Sequence, residues 1–219
     1  MSTAPVGIIG GTFDPIHYGH LRLAEELGEA LRLAEVRLVP TGTPPHRGAP
    51  QAAAEHRLAM VRLAAADNKR FTVDDREIRR AGPGYTHDTL AALRGELGST
   101  PLVLLLGADA FLELATWHRW HELFGLAHIA IAHRPGFPVE RWGERMPQPL
   151  AREYAARLMH QPLATHLQPA GGIVVVPFTA LDISATTIRD RLRAGTSPRY
   201  LLPDSVIDYI QRHRLYETR

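Results

Sequence analysis

Near the N-terminus, residues 6–20 read VGIIGGTFDPIHYGH. The apolar run from Val6 to Ile9 is stopped by two glycines, which is typical of a buried strand that enters a tight turn. A helix is predicted to follow from about His20 to Leu31, because apolar residues recur there at helical spacing. In open α/β sheets, ligands bind beyond the carboxyl ends of the strands, and amide groups at the next helix N-terminus attract phosphate. The stretch therefore predicts a phosphate-binding turn.

Two histidines stand three positions apart in this turn, His17 and His20, and helical spacing can place them on one face. The turn lacks the lysine of a GxxxxGK[ST] phosphate loop and the spacing of a GxGxxG dinucleotide turn. A metal site is weakly indicated, since two histidines need a further ligand and no HExxH accompanies them. The alternative is that the two histidines have no function and occur by chance at the start of a helix.

Strand and helix patterns alternate along the rest of the chain. The predicted elements are strands at 35–39, 71–73, 102–107, 129–132 and 173–176 and helices at 53–66, 86–97, 185–194 and 204–212. The run LVLLLG at 102–107 is apolar on both faces, as a central parallel strand is. Such alternation favours βαβ units around a parallel sheet. We expect one doubly wound α/β domain over residues 1–219, with a small C-terminal helical part at 184–219. The Pro- and Gly-rich segment 134–149 is expected to be a long loop or a lid.

The composition excludes several classes of protein. With 45% hydrophobic and 22% charged residues among 219, the chain is neither disordered nor collagenous nor a coiled coil. Its formal charge of +2 does not support nonspecific duplex binding, so no nucleic-acid partner is expected. The absence of cysteine excludes disulfides, thiolate nucleophiles and cysteine-based metal sites. No signal peptide is recognisable, and the longest strongly apolar run, Leu102 to Leu106, is too short to span a membrane. We expect a soluble, cytoplasmic protein without a membrane partner.

A second informative stretch, DISATTIRDRLRAG, occupies residues 182–195. Ser184 is a candidate helix N-cap, and Gly195 is a candidate helix stop. Thr186 and Arg189 then lie near the first turns, where they can meet an anion at the helix N-terminus. Any capped amphipathic helix shows part of this pattern, so the stretch becomes specific only together with the histidine-containing turn.

Taken together, GGTFDPIHYGH and ISATTIR resemble the two phosphate-binding motifs of the HxGH nucleotidyltransferases, and within them the bacterial nicotinate-nucleotide adenylyltransferase family. The elements that resemble features of this particular family are PPHR at 44–47, GYT at 84–86, GAD at 107–109 and TW at 116–117. The resemblance extends from about residue 7 to Tyr216. Two positions depart from the family pattern: Ala185 replaces a serine of the second motif, and His118 stands where a tyrosine is common.

The resemblance implies a Rossmann-like nucleotidyltransferase fold and transfer of AMP from ATP to the 5′-phosphate of nicotinate mononucleotide, giving deamido-NAD and pyrophosphate in NAD biosynthesis. The acceptor phosphate would itself be the nucleophile. This agrees with a chain that has no cysteine and no obvious Ser/His/Asp set, because such chemistry needs mostly positioning and charge stabilisation. Mg²⁺ is expected to be carried by the ATP phosphates and water, so no protein metal ligand is predicted.

The resemblance also implies the residues that bind ATP. His17, His20 and Arg189 would contact the ATP phosphates as catalytic residues. The full ATP-binding set comprises Gly10, Gly11, Thr12, Phe13, His17, His20, Gly107, Asp109, Ile183, Ser184, Thr186 and Arg189. Backbone groups of Gly10, Thr12 and Phe13 would line the nucleotide. Asp109 would face the ribose or magnesium, and the alternative is that it caps the next helix.

For the acceptor, the resemblance implies His46, Arg47, Tyr85, Thr86, Trp117 and His118. The first two would contact the mononucleotide phosphate from a loop, and Trp117 would stack on the pyridine ring. Backbone N–H groups around Tyr85, Thr86 and His118 would receive the nicotinate carboxylate. Without the resemblance, His46 and Arg47 would be read as solvated loop residues and Trp117 as a core residue.

Two other functions stay open at this point. A different nucleotidyltransferase of the superfamily, such as the pantetheine-phosphate enzyme, shares the HxGH turn but tends to be shorter and lacks the PPHR and TW elements. A nucleotide-binding sensor that kept the fold and lost catalysis belongs to another class, and the presence of His17, His20 and Arg189 argues against it. The sequence does not indicate the oligomeric state.

Overall fold

The computed structural model describes residues 4–44, 48–133, 142 and 146–217, and its strands form one sheet. The strands are β1 Val6–Gly11, β2 Glu35–Pro40, β3 Phe71–Val73, β4 Leu102–Gly107, β5 His128–His133, β6 Leu158–Met159 and β7 Ile173–Pro177. They are all parallel and follow the order β3-β2-β1-β4-β5-β7-β6, with helices on the flanks. The predicted α/β fold with a parallel sheet is therefore confirmed.

Helices follow most of the strands. Those of the described residues are α1 Tyr18–Ala30, α2 Ala54–Ala65, α3 Arg76–Arg79, α4 Thr86–Leu97, α5 Ala108–Leu112, α6 Leu123–Leu126, α7 Gln148–Arg157, α8 Ala185–Arg193 and α9 Asp204–Arg212. The predicted bounds of α1, α2, α4, α8 and α9 lie within about two residues of those observed, because their apolar periodicity is strong. None of the described helices combines the length and apolar character needed to cross a membrane.

The predicted loop at 134–149 needs a correction at its C-terminal end. Helix α7 begins at Gln148, so that Pro149 occupies its first turn. A proline is tolerated there because the first N–H groups of a helix have no intrahelical acceptor. Residues 134–141 and 143–145 lie outside the described residues, and the lid remains a prediction.

Strand β4 is buried along most of its length, since Leu102 to Leu106 are each at most 6% exposed. It pairs in parallel with β1, where Val6 lies opposite Leu102, and with β5, where Val103 lies opposite His128. A strand with neighbours on both edges and helices on both faces has no side that meets water, which explains its uninterrupted apolar sequence.

The strand order reverses between β1 and β4. In open parallel sheets, ligands bind beyond the carboxyl ends of strands at such a reversal. Strand β1 ends at Gly11 and β4 ends at Gly107, and each glycine belongs to one of the motifs identified in the sequence.

The chain divides into two compact units. The first comprises residues 1–9, 23–37 and 85–180, and the second comprises 10–22, 38–84 and 181–219. The second unit holds the HxGH turn, residues 10–20, and the second motif, ISATTIR at 183–189. The first unit holds the GAD and TW elements with Tyr85 and Thr86. A single domain over the whole chain stays a prediction.

Candidate active site

The HxGH turn places its two histidines against each other in the second unit. The ring centroids of His17 and His20 are 3.8 Å apart with planes tilted by 30°, and Phe13 meets His20 edge-on at 5.0 Å. His17 is buried, and its backbone N–H donates to Nδ1 of His20 at 3.4 Å. The turn thus holds both imidazoles in one cluster at the start of α1, with His17 just before the helix and His20 in its first turn, where the helix N-terminus attracts negative charge.

The glycines of the turn differ in what surrounds them. A Cβ at Gly19 would lie 3.0 Å from Cε1 and Nδ1 of His17, so the glycine of HxGH makes room for the imidazole. A Cβ at Gly10 would meet no described atom within 4 Å, and the same holds for Gly107 at the end of β4. No neighbouring atom of the described residues therefore requires a glycine at position 10 or 107. A ligand that approaches the backbone closely would require one.

Burial makes His17 a neutral imidazole at physiological pH. Desolvation lowers its pKa from 6.5 to about 4. Its Nδ1 is buried, and in the part of the chain that the structure describes this atom has no hydrogen-bond partner. In the free protein, His17 therefore contributes a polar nitrogen rather than a positive charge to the turn.

This lowered pKa predicts how the stability depends on pH. The unfolded chain binds a proton at His17 below pH 6.5, while the folded chain binds it only below about pH 4. The contribution of His17 to the free energy of unfolding should therefore be fully present above pH 6.5 and be lost as the pH drops toward 4. The expected loss between pH 7 and 5 is about 2 kcal/mol. Urea denaturation of the wild type and His17→Gln at both pH values would measure this difference. An identical pH dependence in the two proteins would contradict it.

The second motif begins α8 with a side-chain cap. Ser184 Oγ accepts a hydrogen bond from the Thr187 N–H at 3.1 Å and lies 2.9 Å from Thr187 Oγ1, which confirms the predicted N-cap. Gly195 has φ +68°, a left-handed conformation that suits the helix stop. The Ser184 hydroxyl is thus engaged in ordering the helix that carries Arg189.

Arg189 links the second motif to the HxGH turn. Its Nη1 donates to the carbonyl oxygen of Asp14 at 2.7 Å, and its Nη2 donates to Thr186 Oγ1 at 3.2 Å. Its Nε is buried and has no hydrogen-bond partner within the described residues. Ile183 closes the same junction, because its carbonyl oxygen would lie 3.6 Å from a Cβ at Gly19. The structure therefore brings Arg189 and the turn that holds His17 together.

Sequence reasoning missed Asp14 and Tyr216. The buried carboxylate of Asp14 accepts hydrogen bonds from the backbone N–H groups of Gln51 at 2.8 Å and Ala52 at 3.1 Å. It also accepts the hydroxyl proton of Tyr216 at 2.7 Å. Burial first, and then this hydrogen bond, raises the pKa of Tyr216. Asp14 stands inside the HxGH turn, yet nothing in the local pattern indicates partners 38 and 202 positions away.

Arg57 is a third missed residue. It lies on the buried face of α2 together with Met60 and Val61 and is 1% exposed. An arginine at i, followed by apolar residues at i+3 and i+4, interrupts the apolar face of the predicted helix. That interruption was the signal available in the sequence.

In the first unit, the structure groups three of the residues predicted for the acceptor. The rings of Tyr85 and His118 stack with centroids 4.3 Å apart, and Thr86 is the first residue of α4. Tyr85 is the N-cap but makes no side-chain cap hydrogen bond. Amide groups in the first turn of a helix have no intrahelical acceptor, and a helix N-terminus favours an anion. This end of α4 is therefore chemically suited to a carboxylate.

The environment of that helix end contains further charged groups. His87 Nδ1 lies 3.0 Å from Oδ1 of Asp88, and His87 Nε2 lies 3.5 Å from a carboxylate oxygen of Glu122. Arg119 forms an ion pair with the same Glu122. The backbone N–H of Trp117 donates to the carbonyl oxygen of Leu114. Trp117 is only half-buried, so it does not belong to the apolar core.

The remaining predicted residues have mixed outcomes. Asp109 is exposed and is the second residue of α5, whose N-cap is Gly107. The alternative that Asp109 caps this helix is therefore wrong, because the chain enters the helix one residue before it. His46 and Arg47 lie outside the described residues.

The chain is similar to known proteins over almost its whole length. A family described as cytidylyltransferase-like matches residues 8–191. A protein of Dechloromonas aromatica named "Probable nicotinate-nucleotide adenylyltransferase" is 56% identical over 213 residues, covering 97% of each chain. One of the same name from Aeromonas salmonicida is 48% identical and covers 99% of each chain. The solved structure of Plasmodium falciparum nicotinic acid mononucleotide adenylyltransferase complexed with NaAD has a TM-score of 0.74 at 18% identity, covers 98% of each chain and shows the same fold.

Proposed function

The chain belongs to the cytidylyltransferase-like family and, within it, to the nicotinate-nucleotide adenylyltransferases, and on that premise we propose that the HxGH turn and the second motif bind the triphosphate of ATP. The enzyme transfers AMP from ATP to nicotinate mononucleotide and releases pyrophosphate, a step of NAD biosynthesis. We place the catalytic contacts to ATP at His17, His20 and Arg189, with Gly10 to Phe13 lining the nucleotide.

The observation that carries this assignment is a pair of buried polar nitrogens. Nδ1 of His17 and Nε of Arg189 both lack a partner in the described residues, although a buried unsatisfied group costs about 1–3 kcal/mol. Both belong to residues that converge on the HxGH turn. A triphosphate carries oxygen acceptors for the Nε–H of Arg189 and for Nδ1 of His17 in the tautomer that protonates this nitrogen, which supports the proposal.

The reaction itself requires positioning and charge stabilisation. A phosphate oxygen of nicotinate mononucleotide attacks the α-phosphorus of ATP, a new P–O bond forms, and the bond to the β-phosphate breaks with its electron pair on the departing pyrophosphate. Arg189 is a permanent cation and meets the negative charge that grows on this leaving group. His17 and His20 would donate hydrogen bonds to the phosphates.

Mg²⁺ is part of the proposal and would be carried by the ATP phosphates and water. When bound, the ion supplies neutralisation of the phosphate charges. Among the residues the structure describes, no group of three or more His, Cys, Asp or Glu side chains is placed to hold a metal ion. The role of Asp109 at the ribose or magnesium, like the cytoplasmic location, stays a prediction.

An acceptor panel tests the assignment in the first unit. If N–H groups at the start of α4 receive the nicotinate carboxylate, the amide analogue loses a charge-assisted hydrogen bond. Such a loss costs about 1.5–3 kcal/mol, so kcat/KM should be roughly ten- to 150-fold higher for nicotinate mononucleotide. Pyrophosphate release with each acceptor measures the ratio. Equal values, or comparable turnover of phosphopantetheine, would contradict the assignment.

A single variant can remove one of these donors. Thr86 is the first residue of α4, where proline fits a helix, and Tyr85 before it has the extended backbone that proline requires (φ −90°, ψ 130°). Thr86→Pro should lower kcat/KM for the nicotinate acceptor about tenfold and leave the amide acceptor nearly unchanged. Thr86→Ala keeps the N–H group and is the matched control.

A further inference from the structure

Arg57 places a buried guanidinium beneath the HxGH turn. Its Nη1 donates to the carbonyl oxygens of Thr12 at 2.7 Å and Thr41 at 2.6 Å. Its Nη2 donates to Gly42 at 2.9 Å, and its Nε donates to Ala52 at 3.3 Å. One side chain on α2 thus holds backbone oxygens from three separate segments of the second unit.

Burying a cation in this space carries a free-energy cost of desolvation. Burial lowers the pKa of Arg57, and the nearby Asp14 carboxylate opposes that effect. A methionine of similar length would occupy the same volume without a desolvation cost. The property that arginine adds is a planar fork with five N–H donors in fixed directions, which can fix the orientation of several peptide groups at once.

The peptide group between Thr12 and Phe13 is the one that matters for the site. A trans peptide is planar, so its C=O and N–H point in opposite directions. Because the Thr12 carbonyl points at Arg57, the Phe13 N–H points away from Arg57. Phe13 has φ +49°, an uncommon conformation for an aromatic residue, and its ring is buried at 2% exposure. The contact with Arg57 and the burial of the Phe13 ring therefore both restrict the orientation of this peptide.

We propose that Arg57 is a positioning residue, which turns the Thr12–Phe13 peptide so that the Phe13 N–H donates to a phosphate of ATP. The proposal rests on the ATP site described above. Arg57 touches no reacting atom in this scheme and acts only through the backbone that it orients. An amide donor fixed in advance loses no orientation freedom when the phosphate arrives.

Amide NMR on the wild-type protein gives the first test. The chain has six phenylalanines, so selective ¹⁵N labelling yields few resonances, and the Phe13 signal is the one missing in Phe13→Leu. Addition of ATP and Mg²⁺ without acceptor should move the Phe13 amide proton downfield by more than any other phenylalanine amide. A Phe13 signal that does not move overturns the proposal, even if every Arg57 variant fails to fold.

Kinetics of Arg57→Met and Arg57→Lys give the second test. With rates normalised to folded protein, KM for ATP should rise about tenfold in both variants, while KM for nicotinate mononucleotide stays within about twofold. Lysine keeps the charge, but its single ammonium cannot replace the two Nη groups of the fork. Recovery of a wild-type KM for ATP in Arg57→Lys would show that only charge matters and would overturn the proposal.

Arg94 provides a matched control from the first unit. Its guanidinium donates to the backbone carbonyls of Gly98, Thr100, Leu126 and Pro169. Arg94→Met removes a comparable scaffold contact, so it should lower the melting temperature and leave ATP binding unchanged. If Arg94→Met weakens ATP binding as much as Arg57→Met, loss of general packing explains both, and the proposal fails.

The NMR signals of the histidines distinguish a failure of the Arg57 proposal from a failure of the ATP site on which it rests. If the imidazole resonances of His17 and His20 shift with ATP while the Phe13 amide does not, the Arg57 proposal fails and the ATP site stands. If neither the imidazoles nor the amide shift, the ATP site fails as well. Shifts of all three in the wild type, with the Phe13 shift lost in Arg57→Met, support both.

Discussion

Arg189→Ala should lower kcat by about 10²–10³-fold, the effect of removing one donor to developing charge. Two of its five N–H donors already anchor the side chain on Asp14 and Thr186, which leaves the Nε–H and one N–H on each Nη for phosphate oxygens. Arg189→Lys keeps the charge but cannot hold Asp14 and grip two phosphate oxygens together, so it should remain clearly impaired. We expect kcat to suffer more than KM for ATP, because the charge grows as pyrophosphate leaves.

Steady-state kinetics on folded Arg189→Lys and Arg189→Ala would measure both effects. Arg193 is the matched control, since it lies one turn further along α8 and contacts Asp190 at 2.7 Å and Gln51 at 2.6 Å. Arg193→Ala should cost less than about threefold in kcat. Near-native rates for both Arg189 variants would mean that this residue only orders the turn, and the second motif would lose its proposed role.

His17→Ala and His20→Ala should each lower kcat by roughly 10²–10³-fold. The two imidazoles stack within the HxGH turn, so each also supports the placement of the other. His17 is neutral in the free protein, and the arrival of a phosphate anion should raise its pKa from the value of about 4. Its contribution is therefore a hydrogen bond whose strength increases as the phosphate charge develops.

The histidine variants need a check on folding, because His17→Ala leaves a cavity in a buried site. His17→Gln fills more of that space, and the exposed His213 supplies a control in His213→Ala. A folded His17 or His20 variant that loses less than about threefold would show that the cluster is not part of the catalytic machinery.

Local patterns in the sequence were sufficient for the elements that carry the site. The apolar run of β4 and the periodicity of α4 gave their observed bounds, and Ser184 was correctly expected to cap α8. The start of helix α7 was missed because the Pro- and Gly-rich composition of segment 134–149 suggested a loop up to Pro149, whereas a proline is tolerated in the first turn of a helix.

The contacts that organise the turn could not be predicted in the same way. Asp14, Arg57 and Tyr216 meet across long stretches of chain, and no periodicity reports such pairs. The neutrality of His17 was also hidden, because the pKa of a histidine depends on how deeply the fold buries it. The sequence motif therefore identified the candidate residues of the turn. Only the structure indicates that His17 is neutral in the free protein.

The hydrogen bond between Tyr216 and Asp14 has a consequence for biosynthesis. These residues are 202 positions apart, so during translation Asp14 leaves the ribosome long before its partner does. Closing so long a loop is entropically costly until most of the sheet already holds the two ends near each other. The nascent chain can therefore make β1 and α1 well before Tyr216 is available to complete the turn between them, so a turn with all its contacts depends on residues translated much later.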